Sequence, residues 1–107
     1  MTFDEYQVAA KRTINICLTR NEVLNHSLLE MCSELGEIHG IYQKVYQGHK
    51  IKIEDLKKEV GDLLWGLAEF CTINNFRLDE IAQMNIDKLK ERYPNGFEPE
   101  RSVYRED

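Results

Sequence analysis

The sequence predicts an all-α, four-helix bundle-like fold, and three observations carry that prediction. Apolar residues recur at three- and four-residue steps through four long segments, and no stretch sustains the alternation of a strand. Gly, Pro and Asn-Asn punctuate the chain where such segments should end. With 107 residues there is room for one domain, taken as residues 1–107 with a charged tail at 98–107. A chain this short buries a limited core, so self-association is expected.

Thr2-Phe3-Asp4-Glu5 has the form of a capping box, with Thr2 as N-cap and Glu5 able to return to its amide. The first helix should therefore begin there, and Phe3, Tyr6, Ala10, Ile14, Cys17 and Leu18 carry its amphipathic stripe to about residue 19. Residues 20–25 are polar and hold the break, although Glu22-Val23-Leu24 could already be helical. The second helix runs over about 26–46, burying Leu28, Cys32, Leu35, Ile38, Tyr42 and Val45, with Gly48 placed as its stop. After a connection at 47–52, the third begins near Ile53 or Glu54 and continues to about residue 74. It buries Leu56, Val60, Leu63, Leu64, Leu67, Phe70 and Cys71. The fourth spans about 78–92, with Ile81, Ala82, Asn85 and Leu89 inward, and Pro94-Asn95-Gly96 ends it abruptly. The tail beyond is charged and contains Pro99, so an extended or partly disordered segment is expected.

Composition excludes several classes. A formal net charge of −5 argues against a general nucleic-acid binder, which would carry a basic patch or stripe. No apolar run approaches the roughly 20 residues that span a bilayer, and the N-terminus lacks the basic-then-apolar form of a signal peptide. Cys17, Cys32 and Cys71 are odd in number, lack C-x-x-C spacing and sit among apolar neighbours. They are read as buried free thiols in a reducing cytoplasm.

The informative feature is acidic. At roughly 100° per residue, Glu30, Glu34 and Glu37 fall within about 60° of one another on the second helix. Glu59 and Asp62 are neighbours one turn apart on the third. Ile38, Ile41 and Val45 continue the first stripe and Leu63, Gly66 and Phe70 the second, so these carboxylates stand where core residues would be expected. Burying ionised carboxylates together is unfavourable unless a cation or proton neutralises them. One E-x-x-E alone is ordinarily a solvated face; two acid pairs edging apolar stripes on adjoining helices favour a metal site.

Its chemistry can be narrowed. Di-iron carboxylate bundles need E-x-x-H pairs, and Val23, Gly36 and Tyr46 stand three residues before His26, His39 and His49. Zinc is disfavoured because no His and Cys grouping has ligand spacing. An all-oxygen site remains, suited to Mg²⁺ or Mn²⁺ and a phosphate-bearing substrate. On the fourth helix Asn85, Lys88 and Arg92 share a face and offer an amide and two cations to an anion, although a basic last turn suits any helix. Lys44, Lys50, Lys52, Lys57 and Lys58 around the central connection are read mainly as a solvated rim. Trp65, off the main stripe, is assigned to packing ahead of a role against a base. There is no nucleophile grouping and no Walker-type loop, which leaves a metal-activated water as the attacking group.

Three blocks together resemble a known family. Cys32-Ser33-Glu34-Leu35-Gly36-Glu37, then Leu56-Lys57-Lys58-Glu59-Val60-Gly61-Asp62-Leu63-Leu64-Trp65, then Asn85-Ile86-Asp87-Lys88-Leu89-Lys90-Glu91-Arg92-Tyr93-Pro94-Asn95-Gly96-Phe97 resemble the MazG-like all-α nucleotide pyrophosphohydrolases. The resemblance implies Mg²⁺-dependent hydrolysis of (deoxy)nucleoside triphosphates to monophosphate and pyrophosphate. It implies that Glu34, Glu37, Glu59 and Asp62 hold the metal and act in catalysis, and that Asn85, Lys88, Arg92 and Tyr93 bind substrate. It further implies a homodimer or homotetramer. Ser33 departs from a pattern that often has an acid at that position, and Glu30, one turn earlier, could substitute. A phosphoribosyl-ATP pyrophosphohydrolase and a non-catalytic helical interaction module are the alternatives.

Overall fold

The computed structural model describes residues 1–105, and helices are the regular elements found among them. They are α1 (Phe3–Lys11), α2 (Arg20–Val45), α3 (Ile53–Ile73), α4 (Leu78–Arg92) and a short α5 (Pro99–Val103). The Thr2–Glu5 capping box forms as expected. α1 ends well short of residue 19, however, and the reason is local side-chain bonding. Thr13 Oγ1 donates to Ala10 O, and Asn15 Oδ1 accepts from Cys17 N. Such bonds offer the backbone an alternative to helix.

A second capping box, Thr19 with Glu22, starts α2 at Arg20, six residues earlier than the polar composition of 20–25 suggested. Gly48 takes φ 94°, the left-handed conformation that closes the end of α2. α3 and α4 fall where the sequence placed them, separated by Asn75 in a left-handed conformation (φ 57°). The expected extended tail contains α5, whose Arg101 donates through Nε to Arg92 O at 2.6 Å and so covers the end of α4. The tail's last two residues lie outside the described ones.

α2 and α3 pack along their length, and α1 joins them to α4 by lying against both α3 and α4. Gln7 is the joint. Its Nε2 donates to Thr72 Oγ1 and Phe76 O, while its Oε1 accepts from Leu78 N, satisfying an amide at the start of α4 that has no partner within the helix. Asp4 and Arg77 pair at 2.6 Å beside it. The buried core gathers here and between α2 and α3: Val23, Ser27, Gly66, Ala68, Glu69, Cys71 and Leu78.

Much of the expected core is uncovered. Leu28, Leu35, Tyr42, Val45, Val60, Leu67, Ile81 and Leu89 are exposed, as are Cys17 and Cys32; of the three thiols, Cys71 alone is buried. The radius of gyration is 17.3 Å, against about 13 Å for a compact chain of this length. The accessible area is 8467 Å², where a compact monomer of this mass exposes about 6,200 Å². The reason is that α4 lies against α1 and not along α2 or α3, so one chain does not close a bundle around these stripes.

Candidate metal centre between α2 and α3

The two long helices run antiparallel, with Glu34 facing Glu59 and Asp62, Met31 facing Gly66, and His26 facing Glu69. Gly66 sets their spacing. A Cβ there would stand 2.9 Å from Met31 Cγ and 3.3 Å from Glu30 Cγ, so only glycine allows this approach.

One oxygen from each of Glu34, Glu59 and Asp62 lies within 4.8 Å of the others, the first two residues being half-buried and Asp62 exposed. Glu34 Oε2 is buried, and with the carboxylates ionised no donor reaches it; hydrogen bonds among Glu34, Glu59 and Glu30 require that one of them keep a proton. A lone buried acceptor among further carboxylates is the condition that a bound cation relieves.

The electrostatics point the same way. Glu59 holds its proton more tightly than a free glutamate, first through its hydrogen bond with Glu34, then through burial, then through the charges of Glu34, Asp62 and Asp55. For Glu34 the hydrogen bond with Glu59 acts most strongly and lowers the pKa. Burial, the hydrogen bond with Glu30 and the charges of Asp62 and Glu30 outweigh it, so Glu34 is raised as well. Tyr6 of α1 is raised by burial and then by the charge of Asp62, which places its phenol at the edge of the cluster.

These directions fix a sign. An acid whose pKa is raised on folding binds its proton more tightly folded than unfolded, so its contribution favours the fold below the folded value. It is lost as pH rises from the ordinary glutamate range through the raised one. Asp4, lowered chiefly by its hydrogen bond with Arg77, and Glu22, lowered chiefly by the Thr19 backbone amide, act oppositely. The diagnostic is therefore a difference: without divalent cations, the Tm of Glu34→Gln minus that of the native chain should grow as pH rises across this interval. A difference independent of pH contradicts the account.

The remaining sequence-predicted residues stand apart from the three. Glu37, one turn beyond Glu34, is exposed and lies outside the cluster. Asn85 and Lys88 are exposed on α4, correcting the inward placement of Asn85; α4 packs on α1, and its Ile81–Leu89 stripe is open. Arg92 and Tyr93 are half-buried at the end of α4, with Tyr93 against Phe97 at 5.3 Å between ring centroids. Lys44, Lys50, Lys52, Lys57 and Lys58 are exposed, as a solvated rim requires. Glu30, by contrast, does reach Glu34.

Two features were not anticipated. Tyr6 belongs to the apolar stripe of α1, and nothing in the spacing of α1 says that this stripe meets α3 near Asp62. Glu69 stands within Leu67-Ala68-Glu69-Phe70-Cys71, and the signal for it is an acid inside an apolar run, seven residues and thus two turns past Asp62. It is fully buried and bonded to His26. Trp65 packs within the chain: its Nε1 donates to Thr13 Oγ1 at 2.8 Å, and its ring meets His26 edge-on.

Comparison with known proteins adds the following. The sequence model of the MazG nucleotide pyrophosphohydrolase domain matches residues 20–97, which take in α2, α3 and α4. The chain is similar to the Gene 37 protein of Mycobacterium phage L5, with 28% identity over 105 residues, covering 90% of this chain and 92% of that protein. No solved structure matches. Among the described residues no helix is long and apolar enough to cross a membrane.

Proposed function

The chain belongs to the MazG nucleotide pyrophosphohydrolase domain family, and from that membership and the carboxylate cluster we infer that it hydrolyses (deoxy)nucleoside triphosphates to monophosphate and pyrophosphate with Mg²⁺. The single observation that carries the metal part is the partnerless, buried Glu34 Oε2 beside Glu59 and Asp62. Oxygen donors alone, two of them half-buried, fit a hard divalent ion such as Mg²⁺ or Mn²⁺. Glu34, Glu59 and Asp62 would hold it, with Glu37 one turn away on α2. When bound, the ion would neutralise triphosphate charge and lower the pKa of a water.

The chain's own residues have separate tasks in this reading. In the proposed reaction, water oxygen adds to the α-phosphorus while the bond from that phosphorus to the α,β-bridging oxygen breaks. Pyrophosphate leaves on the side of the cations, and the water's proton passes to a carboxylate that the ion leaves free, for which Glu37 stands outside the three-residue cluster. Asn85, Lys88, Arg92 and Tyr93 would bind the substrate. Because α4 does not lie along α2 or α3 within one chain, we assign this contribution to a second copy. Exposed Leu28, Leu35, Val60, Ile81 and Leu89 would form the contact in a homodimer or homotetramer. Residues 1–107 form one domain in this assembly, read as cytoplasmic, with neither nucleic acid nor membrane as partner.

The test is a product profile over the common ribo- and deoxyribonucleoside triphosphates and phosphoribosyl-ATP. Pyrophosphate and a nucleoside monophosphate are expected, with no turnover in EDTA. Release of orthophosphate and a diphosphate would overturn the reading, and preference for phosphoribosyl-ATP would select the alternative substrate. Light scattering on the same sample should give a dimer or tetramer; a monomer at micromolar concentration contradicts the assignment of α4 to a partner copy.

A further inference from the structure

The most conspicuous group outside the carboxylate cluster is Glu69, whose side chain is 1% exposed and whose two oxygens lie 2.9 and 3.0 Å from His26 Nδ1. A carboxylate oxygen accepts and the ring's Nδ1–H donates to it, which leaves Nε2 as the ring nitrogen available to a ligand. The His26 side chain remains 46% exposed, so the imidazole is gripped on one nitrogen and open at the other. Stability alone does not call for this arrangement, since a well-packed apolar pair avoids desolvating a carboxylate.

The neighbouring ring is held just as firmly. Trp65 meets His26 with centroids 6.3 Å apart and planes at 85°, and its Nε1 is tied to Thr13 Oγ1, whose own proton goes to Ala10 O. Two rings are thus fixed side by side, both incompletely buried.

Their position relative to the cluster is set by helix geometry. Glu69 lies seven residues beyond Asp62, about 10 Å along α3 and rotated by only about 20°. His26 lies eight residues before Glu34, about 12 Å along α2. Both are on the same α2–α3 face, with Trp65 between Asp62 and Glu69. A nucleotide has this layout, its base one sugar away from its α-phosphorus.

We propose that His26, oriented by Glu69 and flanked by Trp65, reads the nucleobase: Nε2 hydrogen-bonds the base edge, and the indole supplies the surface against which the base lies. His26 is then a specificity-determining residue and Glu69 a positioning residue. The inference rests on the proposed nucleotide substrate, so its test reads binding separately from turnover.

Trp65 is the single tryptophan, and its emission reports directly on the surface beside His26. The four common nucleoside monophosphates are titrated against the full chain with Mg²⁺, and triphosphate turnover is measured in parallel. The variant is His26→Gln, whose amide can still donate to Glu69 and so avoids stranding a buried charge; a cooperative thermal transition verifies its fold. The native chain should bind the bases with a clear order of affinity. In His26→Gln that order should flatten, with KM for the preferred triphosphate rising about tenfold and kcat within about twofold. Glu69→Gln, which keeps the shape but loosens the tautomer, should fall between the two in base preference.

An unchanged base order and KM in folded His26→Gln overturns the assignment, and if pyrophosphate is still released the proposed reaction survives that failure. Base-selective quenching that depends on His26, with no pyrophosphate from any triphosphate, supports the base site and removes the proposed reaction.

Discussion

Glu59→Gln is expected to reduce Mg²⁺-dependent pyrophosphate release by roughly 10²- to 10³-fold, the loss that follows from removing several kcal/mol of charge stabilisation at the reacting phosphate. The substitution keeps the side chain's length and removes one charge from a set in which Glu34, Glu59 and Asp62 lie within 4.8 Å. It should fall mainly on kcat, because what it removes is stabilisation of developing charge and not uniform binding. The same change should leave the cation-free chain as stable as the native one or more stable, since Glu59 is raised by its neighbours and its ionised form is disfavoured in the fold. Activity and stability thus move in opposite directions. A general unfolding defect would move them together, and unchanged turnover would remove Glu59 from the reaction.

Gly66→Ala should be the most destabilising small substitution in the chain, at about 1–3 kcal/mol. Its Cβ would stand 2.9 Å from Met31 Cγ, and the backbone nitrogen of Met31 is already at 3.4 Å, so relief requires α2 and α3 to part. At about 4–8 °C per kcal/mol for a domain of this size, the drop is easily read in thermal unfolding. Gly36 and Gly61 are the controls. Both lie within helices with nothing within 4 Å of an added Cβ, so alanine there should stabilise the single chain by up to about 1 kcal/mol. Because Gly66 lies between the carboxylate cluster and the His26–Glu69 pair, Gly66→Ala should also weaken Mg²⁺ binding. A Tm equal to that of the native chain would mean that the helices are not held at this spacing.

How far the sequence could be read depended on where the determining bonds were. Helix existence and the spans of α3 and α4 followed from periodicity and from breakers in the chain itself: Asn74-Asn75 and Pro94-Asn95-Gly96. Periodicity carries α1 too far, because its stripe of Ile14, Cys17 and Leu18 continues beyond the bonds of Thr13 and Asn15 that stop the helix. The start of α2 is marked by Thr19-Arg20-Asn21-Glu22, which repeats the Thr2–Glu5 pattern and outweighs the polar composition of 20–25.

For the site, helical spacing was enough to bring Glu34 to Glu59 and Asp62, because their two helices are consecutive and joined by a short turn. Spacing could not say that Tyr6 borders Asp62, which depends on how α1 packs. Nor could it say that Asn85 and Lys88 are exposed on a helix that packs against α1. Their apolar neighbours Ile81 and Leu89 mark a buried face correctly only if another surface covers it.

The central claim is that the carboxylates facing each other across α2 and α3 share a divalent cation, and direct calorimetric titration with Mg²⁺ tests it without reference to any substrate. The native chain should bind Mg²⁺ saturably, while Glu34→Gln, which removes the buried acceptor left without a partner, should bind at least tenfold more weakly. Equal affinity in the two proteins, or no saturable binding in the native chain with and without nucleoside monophosphate, would contradict the account.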